Sequence, residues 1–268
     1  YNDKISVTLP DDAQVVLIGP WADPALTPRR PAKTDELVYW AKNSMQPATV
    51  TAPLLIEGGK VWIDGLSFRG MATESGINCI KSKSLSIQRT KIESYKYGVS
   101  HESATGSYCS NIFINRSSIS NNKAAGVYVI DSIKSTNVTI SNSCISKNSD
   151  SGIVATAVQS LKVVHSTIAA NGKADMPFGA LRFTPGSLTC SICGSLLAGN
   201  SSSPADMGSG QQNCHDINAG DHPNKEVSKI SDGGLEFNSD FLLFDPDSAP
   251  MSRNYDFIEK MTKPCGPD

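Results

Sequence analysis

The sequence predicts an all-β fold: one parallel β-helix of about seven rungs, with an N-terminal cap and an irregular C-terminal tail. Three observations carry that prediction. A short pattern recurs along most of the chain, apolar residues alternate within each copy, and Gly, Asn and small hydroxyl residues collect where the copies bend. The length of 268 residues allows one large domain with a substantial core.

The repeat is plainest where NIFINRSSISNN (Asn111 to Asn122) is followed by NVTISNSCISKN (Asn137 to Asn148), identical at six of twelve positions. Further copies start at Val61, Leu85, Leu161 and Cys190, and a degenerate one starts at Ser228. In each, apolar residues stand two apart, as in Val61 and Ile63, Ile112 and Ile114, or Val138 and Ile140. That period predicts strands with one buried face.

A small hydroxyl or glycine comes three residues later, at Thr90, Ser117, Ser143, Ser166, Ser195 and Gly233. Gly65, Asn142 and Gly194 precede that column and tolerate a left-handed backbone, which predicts a tight turn. A second strand then carries Phe68, Ile92, Ile119, Ile145, Ile168, Leu197 or Leu235. Three residues on stands an asparagine, at 122, 148, 171, 200 and 238, and a Gly-led third strand follows, as in AGVYVI and SGIVAT.

Three strands per repeat cannot bury their apolar face alone, so stacked repeats must share one continuous core. Stacking in register also predicts a ladder of asparagine amides. A sandwich gives no reason to repeat one pattern in register, and a leucine-rich horseshoe needs a leucine spacing that is missing. The β-helix is assigned to residues 54–244, a first rung or hairpin plus cap to 1–53, and the tail to 245–268. Within the cap, TDELVYWAKNSM is expected to form a short helix opened by Thr34.

Composition excludes several roles. Lys and Arg total 24 against 26 Asp and Glu, without long runs, so no nucleic-acid partner is expected. No stretch nears the roughly 18 apolar residues of a membrane span. A start at Tyr1 rather than Met leads to the expectation of a processed or excised chain. The lone C-x-x-C at Cys190 and Cys193 lacks the second ligand pair that zinc needs, and no helix is expected after it for thioredoxin-like chemistry. Seven cysteines instead suggest some disulfides and an oxidising compartment. Sequons at Asn115, Asn137 and Asn200 fit an exported chain, although so much Asn and Ser can produce them by chance.

These repeats resemble the pectin-lyase-like superfamily of right-handed parallel β-helices. The pattern N-V-x-I-x-N-S-x-I-x-x-N, followed by S-G-I, is similar to that of bacterial exported proteins. The resemblance covers roughly Leu54 to Phe244, and GSLLAGN through ISDGGLEFNSD resembles the closing rungs of cell-surface members. It implies a secreted or cell-surface location. The superfamily mixes lyases, hydrolases, epimerases, adhesins and stalks, so function must come from a site.

Its hydrolases show N-T-D, G-D-D, G-H-G and R-I-K signatures, and its pectate lyases W-V-D-H and R-x-P-x-x-R; the sequence has none of these. SDSGI supplies one carboxylate where two are needed. Outward positions of the Gly-led strands, such as Asn78, Ser100, Tyr128, Ile130 and Val154, are mainly apolar or neutral, as on a face covered by a loop or partner. Glu102, also outward, is the one carboxylate among these positions, where a calcium-dependent lyase wants several together with a Lys or Arg base.

YKYGVSHES offers fallback catalytic residues in Tyr97, His101 and Lys96, because Tyr/His pairs serve eliminating lyases and epimerases. His101 nonetheless shares a column with Cys79, Val129 and Ala155, which makes a core histidine the simpler reading. Arg89, Arg116 and His165 form a row along the tight turn and suit an acidic glycan, His165 gaining charge under mild acid; their bland reading is a solvated turn. The sequence thus favours a non-enzymatic surface adhesin, stalk or glycan-binding module, with an acidic polysaccharide or surface protein as partner. The alternative is a polysaccharide lyase or epimerase. Neither a cofactor nor a metal is implied.

Overall fold

A computed structural model describes residues 4–19, 37–39, 49–103, 108–172, 180–184, 189–193, 195–198, 200, 217–218 and 243–244. Among these residues, the strands form three walls of eight parallel strands each. Wall one holds the Gly-led strands, such as Val127–Ile130; wall two the strands before the tight turn, such as Asn111–Asn115; wall three those after it, such as Ser118–Ser120. Five complete turns, from Leu54 to Ala169, are described in nearly every residue, and strands of further turns continue at both ends.

Register follows the predicted columns. Ile112 pairs with Val138 and Leu85, and Ile114 with Ile140 and Ile87. All six are essentially enclosed, whereas Phe113, between Ile112 and Ile114, is 42% exposed. Among the described residues, the core is therefore a column of stacked, mainly aliphatic side chains that runs from Val15 to Leu181.

Two ladders hold the corners. Nδ2 of Asn122 donates to Oδ1 of Asn148 at 2.8 Å, Asn148 to Asn171 at 2.8 Å, and Asn171 to Asn200 at 2.9 Å. Each Oδ1 also accepts the backbone N–H of the preceding ladder residue. Tyr95 takes the same place one turn before Asn122; its backbone N–H donates to Asn122, and its buried ring ends the ladder. The hydroxyl column forms the second ladder. The backbone N–H of Thr90, Ser117, Ser143 and Ser166 donates to the next hydroxyl oxygen at 3.1–3.2 Å.

The glycine that leads each wall-one strand is explained by close approach. A Cβ on Gly126 would lie 2.7 Å from Ile145 and 2.8 Å from the Asn148 amide. At the tight turn, Gly65, Arg89, Arg116, Asn142 and His165 all have positive φ, between 44° and 71°. The fold thus imposes left-handed backbone even on arginine and histidine, in which it is uncommon.

Before Leu54, Ile5–Thr8 and Gln14–Ile18 pair in parallel with Leu54–Glu57 and Lys60–Asp64, so they make a rung rather than a hairpin. The expected helix is corrected. Leu37–Tyr39 is a strand paired in parallel with Val16–Ile18. An open strand edge needs partners for its N–H and C=O groups, and an apolar, partly β-branched triplet suits a strand better than a helix start. The rest of that segment, the copy at Ser228 and the tail from 245 lie outside the described residues.

Candidate functional site

The tight turn between walls two and three has one residue per rung, which places Arg89, Arg116, Asn142 and His165 in a row up one edge of the coil. Adjacent members are about one strand spacing, roughly 4.8 Å, apart. Together with Lys91 and Cys144 they line a shallow groove of about 660 Å³.

The cations in this groove differ in availability. Arg89 turns its guanidinium onto Asp64, which ends the wall-two strand one turn earlier and is fully buried. Lys91 is held by Glu93 at 2.8 Å. Arg116 is exposed and has no ion-pair partner among the described residues, and His165 is likewise exposed. The floor is the hydroxyl ladder of Thr90, Ser117 and Ser143. An anion lying in the groove would meet one open guanidinium and one imidazole, about two rungs apart.

The fallback catalytic residues are split between faces of wall one. His101 points inward and is fully buried, its Nδ1–H donating to the Cys79 carbonyl at 2.7 Å. Burial holds its pKa below the usual histidine value, against the opposing effects of that carbonyl, Asp131 and Glu102. Beside it, Cys79 and Cys109 form a buried disulfide across 30 residues.

Tyr97 lies on the outer face. Its ring stacks on Tyr128 with centroids 4.2 Å apart, and exposed Lys96 sits 4.9 Å above Tyr97. Burial, followed by the charge of Glu102, raises the Tyr97 pKa. Burial also pushes Tyr128 up to about 12, helped by Tyr97 and Glu102. Both phenols are thereby poor bases near neutrality. Asp150, nearby, is pushed above the usual carboxylate value by burial, partly opposed by Arg182.

Several of these features carry no signal in the sequence. Asp64 sits in a strand column rather than on the turn, so the turn pattern does not contain it. The Tyr97–Tyr128 stack joins residues on successive rungs but at different strand positions. Asp131 is a fully buried carboxylate that organises a loop. Burial alone would raise its pKa, yet hydrogen bonds from Thr136, Ser135 and Ile133 outweigh that effect and lower it. The sequon at Asn200 is enclosed within the asparagine ladder, so a glycan there is incompatible with the folded chain.

Among the described residues, no group of His, Cys, Asp and Glu is arranged to hold a metal, and no helix is long and apolar enough to cross a membrane. No curated protein and no solved structure shows a significant match to the chain. The family described as right-handed β-helix region matches residues 51–203, more than half of the chain, in agreement with its three stacked parallel walls; the protein belongs to that family.

Proposed function

We propose that this β-helix is an exported, non-enzymatic module that binds acidic glycans along the tight-turn row. The observation that carries the reading is Arg116: an exposed guanidinium, without an ion-pair partner among the described residues, in a hydroxyl-floored groove that also holds His165. Guanidinium is well suited to carboxylate and sulfate groups because it donates in a planar fork. The buried Cys79–Cys109 disulfide supports a location outside the reducing cytosol. The lyase or epimerase alternative has weaker support, because its candidate bases are an enclosed histidine and phenols with raised pKa values.

The test is equilibrium titration with uronate and sulfated oligosaccharides, comparing the parent with Arg116→Asn and His165→Asn. Asparagine already occupies this turn at Asn142, so the left-handed backbone is tolerated. The expected result is binding by the parent that weakens severalfold in each variant and falls with added salt. Salt-insensitive binding, or variants that match the parent, would refute the row. Appearance of unsaturated product absorbance during incubation would favour the lyase instead.

A further inference from the structure

A second groove lies on the outer face of wall two, where the turn row does not reach. Trp62, Ser86 and Phe113 follow one another in a single outward column on successive rungs. Trp62 is half-buried, Phe113 is 42% exposed, and Ser86 between them is only 6% exposed. The column thus sets a small, largely covered serine between two aromatic residues, within a groove of about 390 Å³.

Two rungs place the aromatic attachment points about 9.6 Å apart. A ring held between two aromatic faces needs roughly 7–8 Å, two carbon contacts of about 3.5–4.0 Å each. If both side chains project straight outward from those points, the separation accommodates one saturated ring. The margins of this slot are polar and hydrogen-bonding: Gln88 and Asn115 on one side, Ser84 on the other, with Gln14, Thr139 and Ser141 beyond. Lys60 is the one cation among the described lining residues. The Trp62 indole N–H has no acceptor among the described residues, although such groups usually find one when buried.

We infer that this slot is a binding site for a neutral pyranose of a polysaccharide, stacked between Trp62 and Phe113. A sugar ring presents apolar C–H faces and a hydroxyl edge, which matches two separated aromatic faces bordered by amides and hydroxyls. A protein partner would be expected to use a continuous apolar patch, and here serine and threonine interrupt it. A nucleic acid would need several cations, and the described lining offers one. Rotation of the indole toward the groove would let its N–H donate to a ligand hydroxyl.

The experiment is a titration with neutral gluco-, galacto-, manno- and xylo-oligosaccharides at roughly 1 M salt, where the Debye length falls to about 3 Å and the turn row is screened. Tryptophan fluorescence and calorimetry are read for the parent, Phe113→Ser, Trp62→Phe and Arg116→Asn. Phe113 is exposed, so its replacement should leave folding intact. Supporting results are binding of at least one neutral sugar, about tenfold or more weaker in Phe113→Ser, weaker in Trp62→Phe, and unchanged in Arg116→Asn. No binding of any neutral sugar at millimolar concentration, or binding that survives Phe113→Ser, would overturn the site. Loss in Arg116→Asn alone would return the binding to the turn row.

Discussion

Arg89 donates to the carboxylate of Asp64 from the next turn of the coil, so one cation of the row neutralises a buried anion. Removing only the arginine leaves that charge enclosed without its guanidinium. Arg89→Met is expected to cost about 3–5 kcal/mol in urea unfolding. Asp64→Asn combined with Arg89→Met should recover much of that loss. A double variant no more stable than Arg89→Met would show that the ion pair is not the cause.

Asn148 both donates to Asn171 and accepts from Asn122 within the enclosed ladder. Asn148→Ala leaves groups on both neighbours unsatisfied, at roughly 1–3 kcal/mol. Lys147→Ala is the control, because Lys147 is exposed on the adjoining left-handed turn. Equal denaturation midpoints for the two variants would count against the ladder as a source of stability.

Ile140 is fully buried, while Thr139 beside it faces outward in the column of Phe113. Ile140→Ala should cost roughly 2–5 kcal/mol and Thr139→Ala close to nothing. Similar costs at both positions would mean that the register is shifted by one residue.

His101 sets an acid-side limit on stability. Its folded pKa lies below the ordinary value of 6.5, so below about that pH the unfolded chain takes a proton that the folded chain refuses. The contribution is fully present above the unfolded pKa and declines as pH falls through it. Stability measured between pH 7.5 and 5 should therefore fall more in the parent than in His101→Val, which matches Val129 in the next rung. Parallel pH profiles would remove His101 as the cause.

Fold and site are unequally legible in the sequence. Columns repeated in register announce themselves, which is why Asn122, Asn148 and Asn171 mark their ladder by spacing alone. Tyr95 fills the same place with different chemistry, so spacing does not reveal it. Leu37–Tyr39 suggests a helix because local pattern cannot represent the unpaired edge of Val16–Ile18 that binds it. Asp64 and Arg89 meet because a strand end and the following rung's turn are neighbours in space, a relation that no single column contains. The Arg89, Arg116 and His165 row is visible as a pattern, but only the folded geometry distinguishes the occupied Arg89 from the open Arg116.

Amide chemical-shift mapping with an acidic oligosaccharide at low salt tests the proposed binding row most directly. The row predicts saturable shifts centred on Arg116, Ser117, Asn142, Ser143 and His165, with wall one around Tyr97 and Tyr128 left still. Shifts concentrated on Tyr97 and Tyr128, or none at all at saturating ligand, would contradict it.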